Sequence, residues 1–415
     1  MAKLELSEET KAGMEEVGQA DLLIAVVAPV QSDQLRAAAT RAVLVPSLSS
    51  LRTVVAFPGL NGAEAAALES IEAPTGLRFL PYSLPSADPG RIPWLAGAGI
   101  YQGLFAMARE LGANACAVIG FDLAALESNS LAQMVAPVLE QRCELAMPLY
   151  AMGKFDGLLN SGILAPLTRA LYGRRVRYPL APDFCLAGKT LPDVETAVQR
   201  AITQGQPLLW PATEGALRDY KMCQVQVGTR HAPPADGVDL STILTQTVGS
   251  LFLDVASNAS TWQRVRGSQA VETLGVAVSP PASAAAVDTT PMLETFQLGY
   301  RNLQEVWSLV LPPVTLLELK RLARPNPDRF HMPDELWVRV VYDFALAYRL
   351  RTISRAHLLG ALAPLYLGWV ASYALEVGNA GPAEADQRLE KLARAYEEGK
   401  PYLLSRWRWP DRFNP

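Results

Sequence analysis

Two kinds of apolar spacing divide the chain. Before about residue 230, short and nearly continuous apolar runs alternate with helical stretches. The runs 21–29 (DLLIAVVAP), 52–57, 77–81, 115–123, 144–150 and 222–228 read as strands covered on both faces, because a half-exposed strand would alternate apolar and polar positions. Between them, 34–43, 97–111, 131–141 and 159–172 read as helices. Such alternation predicts βαβ units and a mostly parallel α/β sheet with helices on both faces. Beyond about residue 290 the period changes. Leu293, Phe296, Tyr300, Leu303, Trp307 and Val310 recur at steps of three to four, as do Leu336, Trp337, Val340, Val341, Phe344 and Tyr348. That is the spacing of helices burying one stripe, so an all-α C-terminal domain is expected. The expected division is an α/β domain over 1–265, a linker over 266–290 that contains the Ala-, Pro- and Ser-rich VAVSPPASAAAVDTT, and a helical domain over 291–415.

One stretch tests this picture. Residues 358–375 (LLGALAPLYLGWVASYAL) hold 18 positions without a formal charge, at the lower limit for a membrane span. Pro364, Gly360, Gly368 and the amphipathic neighbours favour a buried helix or a subunit interface, and no stable membrane insertion is expected. Composition narrows the partners further. With 41 acidic and 37 basic residues the net charge is -4, so no global field attracts nucleic acid, and none is expected as a partner. The four cysteines show no CxxC spacing, which reads as reduced buried thiols rather than a zinc site. The opening MAKLELSEETKAGMEEVG is too polar and acidic for a signal peptide, and a cytoplasmic location is expected.

Candidate chemistry is sparse. The chain has no P-loop, no GxGxxG after the first run, no GxSxG and no HExxH. Of the three histidines, His331 and His357 fall in helical sequence and read as structural. Asp122 ends the apolar run that begins at Ala115. It either stands at a sheet rim, where a carboxylate can hold a divalent metal, or caps the following helix, with Ser128 and Asn129 as rival caps. Asp183 is a second lone acid in a loop. His231 opens the loop after the 222–228 run, as a surface histidine or as a ligand; imidazole beside a carboxylate suits Mn²⁺ better than Ca²⁺. Arg174, Arg175 and Arg177 follow a helix, either as an anion site or as a solvated helix end. Together these favour a metal-assisted site for an anionic, phosphate-bearing ligand.

The order of these features resembles the GT-A-fold nucleotide-sugar glycosyltransferases, in particular the bacterial group that includes mannosylglycerate synthase and glucosyl-3-phosphoglycerate synthase. The resemblance rests on ADLLIAVVAP, AMARELGANACAVIGFDL, KFDGLLNSGILAPLTRALYGRRVRYPLAPDF, MCQVQVGTRH and the helical blocks TLLELKRLAR and PDELWVRVVYDFALAYRL. It implies transfer of a hexose, with retention, from a nucleoside-diphosphate sugar to a small acidic acceptor of glycerate or phosphoglycerate type, assisted by Mg²⁺ or Mn²⁺. It assigns Asp122 and Asp183 to catalysis, Pro29, Gly97, Gly99 and Asp122 to the donor, Arg174, Arg175 and Arg177 to the acceptor, and Asp122 and His231 to the metal. The chain departs from the group's motifs at several points. Gly120 stands where an Asp-x-Asp has its first acid, Ala98 replaces the lysine of a Gly-Lys-Gly, and Ala181-Pro182-Asp183 replaces a Gly-Gly-Asp/Glu loop. After Pro29 the base-holding segment is not kept. The departures fit a second reading, a glycosyltransferase-like binding or assembly module without catalysis. The apolar C-terminal helices carry the further expectation of a homodimer.

Overall fold

An eight-stranded sheet organises the first part of the chain in the computed structural model, which describes residues 4, 6–27, 50–59, 76–83, 96–120, 129–229, 238–279, 287–324 and 330–409. In chain order the strands are β1 (Leu22–Val26), β2 (Thr53–Pro58), β3 (Leu77–Tyr82), β4 (Ala115–Ile119), β5 (Leu145–Ala151), β6 (Arg174–Arg175), β7 (Phe184–Ala187), β8 (Met222–Thr229), β9 (Gln269–Ala270) and β10 (Glu272–Leu274). The sheet runs β10-β8-β5-β7-β4-β1-β2-β3, and β6 and β9 form a separate pair. All pairings in the large sheet are parallel except those of β7, which is antiparallel to both β4 and β5. Every residue of β1 and β4 is buried, which explains their unbroken apolar sequence: both sheet faces are covered. On one face, Leu22, Ile24, Ala115 and Ala117 join the core that includes Met134, Val135 and Val138 of the helix Ser130–Leu139.

The expected strands and helices are thus present wherever the structure describes them; the helix expected over 34–43 lies outside the described residues. The four-residue β7 starts at the last residue of the stretch 179–184 that the sequence reads as a loop, and β9 and β10 fall inside the stretch read as a linker. All four cysteines are buried and free.

The compact units do not follow a single cut near residue 265. The sheet unit comprises Met1–Met152, Tyr178–Pro233 and Val271–Ser279; the helical unit comprises Gly153–Arg177, Pro234–Ala270 and Pro280–Pro415. The physical reason lies in the aromatic core of the helical unit. Gly162, in the π-turn Asn160–Leu164, presents its carbonyl to the Trp337 indole N–H and the Tyr396 hydroxyl, both at 2.9 Å. A Cβ on Gly162 would stand 2.5 Å from Trp369 Cη2. Trp369 stacks on Trp337, with centroids 5.8 Å apart, and on Tyr373 at 5.7 Å. Segment 153–177 is therefore a core component of the helices, although sequence order groups it with the sheet. The helix Arg355–Val377 is long and apolar enough to cross a membrane, and 78% of its apolar window is buried inside the protein. Lys154 finishes this helix by donating to the carbonyls of Val377, Gly378 and Ala380 at 2.8 to 3.0 Å, a cation on the negative end of the helix dipole.

Candidate functional site

Strand order reverses between β1 and β4: β2 and β3 lie to one side of β1, and β4 to the other. Ligands of open α/β sheets collect beyond the carboxyl ends of strands at such a switch point. There the Val27 N–H donates to the Ile119 carbonyl at 3.0 Å, and the Tyr82 hydroxyl, which burial pushes far above its ordinary pKa, donates to the Val26 carbonyl at 2.5 Å.

Antiparallel β7 brings its own start to this rim. Asp183, immediately before β7 and 1% exposed, accepts the Gly120 backbone N–H at 2.9 Å and the Tyr150 hydroxyl at 2.6 Å. The Tyr150 ring packs on Tyr178, with centroids 5.0 Å apart, and the Tyr178 hydroxyl reaches the Tyr150 carbonyl at 3.4 Å. A side chain at position 120 has no room: a Cβ there would stand 2.7 Å from the Pro182 carbonyl oxygen and overlap the Pro182 ring. Segments 63 residues apart are thereby locked to each other just before Phe121 and Asp122.

Asp122, His231 and Pro29 lie outside the described residues. Gly97 and Gly99 lie at the start of the helix Ala98–Glu110, where the chain itself covers the backbone: the Ala98 N–H donates to Pro207 O and the Leu4 N–H to Gly99 O, both at 3.0 Å. The helix Ser130–Leu139 begins after Asn129, which makes no side-chain capping bond, while the Ser130 hydroxyl donates to the β8 carbonyl of Val227 at 2.7 Å. For a divalent metal, the described residues offer no group of three or more His, Cys, Asp or Glu side chains able to hold one, and the Asp183 carboxylate is engaged by Gly120 and Tyr150. The described part of the rim therefore does not fit a metal, and the ligands expected for one are Asp122 and His231 alone.

The arginines belong to the helical unit. Gly173, at φ 72°, ends the helix Ala165–Tyr172 in the left-handed region, and the chain turns into β6 beside β9. Arg174 donates to Gln269 Oε1 at 2.5 Å, and Arg175 to Ser268 Oγ at 2.9 Å. Arg177 pairs with Asp386 at 2.8 Å, and its carbonyl accepts from Asn160 Nδ2 at 2.8 Å. Arg175 and Arg177, but not Arg174, line a cavity of about 150 Å³ together with Ser161, Arg169 and Glu390. Val176 lines the same cavity, so the lining runs through 175–177 and leaves out Arg174. Sequence reading missed Arg169 and Tyr150. A lone arginine in the apolar LTRALY and a tyrosine ending a strand carry no local mark of what they face.

No protein-family model matches the chain, and no curated protein matches it. Among solved structures it is similar to glucosyl-3-phosphoglycerate synthase from Mycobacterium tuberculosis in complex with uridine diphosphate, with 14% identity, 62% of this chain and 86% of that chain covered, and a TM-score of 0.37. The same enzyme with Mn²⁺, UDP-glucose and phosphoglyceric acid gives 13% identity, 67% and 96% coverage, and a TM-score of 0.36. With Mn²⁺, UDP-glucose and glycerol 3-phosphate the values are 12%, 60%, 82% and 0.35.

Proposed function

We propose that the chain is a glycosyltransferase that moves a hexose from a nucleoside-diphosphate sugar to a small acidic acceptor. The observation that carries this reading is the 2.9 Å hydrogen bond from the Gly120 N–H to Asp183. It joins, at the rim where an α/β sheet binds ligands, the two segments whose acids, Asp122 and Asp183, the sequence resemblance assigns to catalysis. Such a transfer must stabilise the departing diphosphate. Asp122 and His231 are the side chains this sequence offers for holding Mg²⁺ or Mn²⁺, which would supply that charge when bound. Asp183, buried and doubly bonded, holds the backbone at the entry to Phe121-Asp122 and leaves proton transfer to other groups. Arg175 and Arg177 offer guanidinium forks suited to an acidic acceptor.

A second reading, a glycosyltransferase-like binding or assembly module without transfer, is favoured by one observation. The lost first acid at Gly120 is built into the packing against Pro182, so no carboxylate fits at that position. Calorimetric titration with UDP and GDP, each with and without Mn²⁺, separates the outcomes. Metal-dependent binding of one nucleotide is expected, and binding of neither overturns the transferase reading. Incubation with UDP-glucose and phosphoglyceric acid, followed by mass spectrometry, then distinguishes them: a product heavier by one hexose supports the transferase, and binding without product supports the module.

A further inference from the structure

We infer that one end of the helical unit, where Arg264, Arg266, Arg349, Arg351, Arg355 and Arg408 gather beside exposed Leu350 and Trp409, is a docking surface for an anionic lipid membrane. The surface lies wholly within that unit, needs neither nucleotide nor metal, and stands apart from the transferase reading.

Trp407 assembles the patch from three stretches that are distant in sequence. Its buried ring meets Trp262 edge to face, with centroids 5.1 Å apart, and the Arg349 guanidinium lies 4.5 Å over it. Its carbonyl accepts from Arg349 Nη1 at 2.9 Å. The residues after Trp262 then bring Arg264 and Arg266, those after Arg349 bring Leu350 and Arg351, and those after Trp407 bring Arg408 and Trp409. Arg351, at φ 54°, ends the helix Asp334–Leu350, and the chain turns there into the helix Arg355–Val377. The Arg355 guanidinium lies 4.5 Å over the Tyr348 ring.

The charge of this end is unbalanced. Residues 262–268, 344–360 and 399–409 contain no Asp or Glu. Among the described residues none of the six arginines is in an ion pair, and all but half-buried Arg355 are exposed. Elsewhere in the same unit Arg169, Arg339 and Arg388 each face a carboxylate at 2.6 to 2.7 Å. The helix Arg355–Val377 has no acid in its first turn, so the positive end of its dipole adds to the patch. The chain as a whole carries -4, which makes this a local field of opposite sign.

Charge and polarity together select the occupant. Leu350 is 45% exposed and Trp409 70%. Apolar side chains rimmed by arginines match an anionic bilayer: its headgroups take the guanidinium charges, and its interface accepts a tryptophan and a leucine. A second copy of the chain docked through the same face would set the arginines against their own counterparts. A nucleic acid would meet the arginines through its phosphates but gives an exposed leucine little to cover it. Attachment is to the membrane surface only, because the apolar helix Arg355–Val377 is committed to the protein's own core.

The test is co-sedimentation of the full chain with vesicles of phosphatidylcholine alone and with vesicles that also contain phosphatidylserine, at low and high ionic strength. Binding to the phosphatidylserine vesicles that high salt releases is expected, with none to phosphatidylcholine alone. Arg351→Gln and Arg408→Gln should each weaken it roughly fivefold, the worth of one arginine near an anionic surface, and the double variant roughly 25-fold. Trp409→Ala should weaken it at unchanged charge. Lys391→Gln removes an exposed lysine about 25 Å from Arg408 along the helix Pro382–Arg408 and should leave binding unchanged. Thermal midpoints of the variants show that each is folded. No binding to phosphatidylserine vesicles, equal binding to phosphatidylcholine alone, or wild-type affinity in the Arg351→Gln/Arg408→Gln variant overturns the inference. So does tighter binding to double-stranded DNA than to the vesicles at the same salt, which would make the patch a nucleic-acid surface.

Discussion

Gly120 and Asp183 meet through a contact that neither residue announces. A glycine ending a buried strand looks like a lost acid when compared with an Asp-x-Asp pattern; in the fold it is the one residue that lets Pro182 approach the backbone. Gly120→Ala should therefore cost about 1 to 3 kcal/mol of stability, as overpacking does, measured by urea unfolding. Tyr150→Phe, which removes one donor from a buried carboxylate, should cost a similar ~1 to 3 kcal/mol without any clash. If Gly120→Ala is neutral, position 120 is open after all. At this scale the sequence made Asp183 legible as a lone acid but hid its partners. A carboxylate that accepts from a residue 63 positions away depends on strand order, which composition and spacing do not encode.

Elements were legible in proportion to their length and regularity. The apolar runs of β1, β4, β5 and β8 and the stripes of the C-terminal helices identify themselves by period. β7 does not. Four residues between Asp183 and Gly188 are too few to show a period, and β7 is a strand because β4 and β5 flank it. β9 and β10 are shorter still and almost fully polar or exposed, so pairing with β6 and β8 alone defines them. Between the helices Asp334–Leu350 and Pro382–Arg408, Asp343 meets Arg406 at 2.7 Å and the Tyr402 hydroxyl at 2.9 Å. Burial outweighs the Arg406 guanidinium and pushes the Asp343 carboxyl up to about 7. The folded chain then holds a proton that the unfolded chain releases near its ordinary carboxyl value. Stability contributed here is present at about pH 4 and is lost as pH rises towards about 7. Urea midpoints of wild type and Asp343→Asn across that window check this: the wild-type midpoint should fall relative to the variant, and parallel curves would contradict it.

For the whole molecule, the two-part composition was legible and the route of the chain was not. A change of period near residue 290 marks where helices take over. It cannot show that Gly153–Arg177 leaves the sheet unit, joins the helical core and returns at Tyr178. Consequently the chain cut at residue 265 should not behave as a domain. Without Trp337, Tyr396 and Glu390, the Gly162 carbonyl and the Arg169 guanidinium lose the partners that satisfy them. Residues 1–265 alone are expected to show no cooperative thermal transition by circular dichroism, and a sharp transition would restore the simple boundary. The antiparallel β7 also orders the events of synthesis. When residue 151 has been made, β4 and β5 both exist, yet each still lacks its shared neighbour, and the strand that fills the gap follows only after the excursion through the helical unit. Until then the nascent sheet presents two open hydrogen-bonding edges at what will become its centre, the condition in which strands pair with the wrong chain.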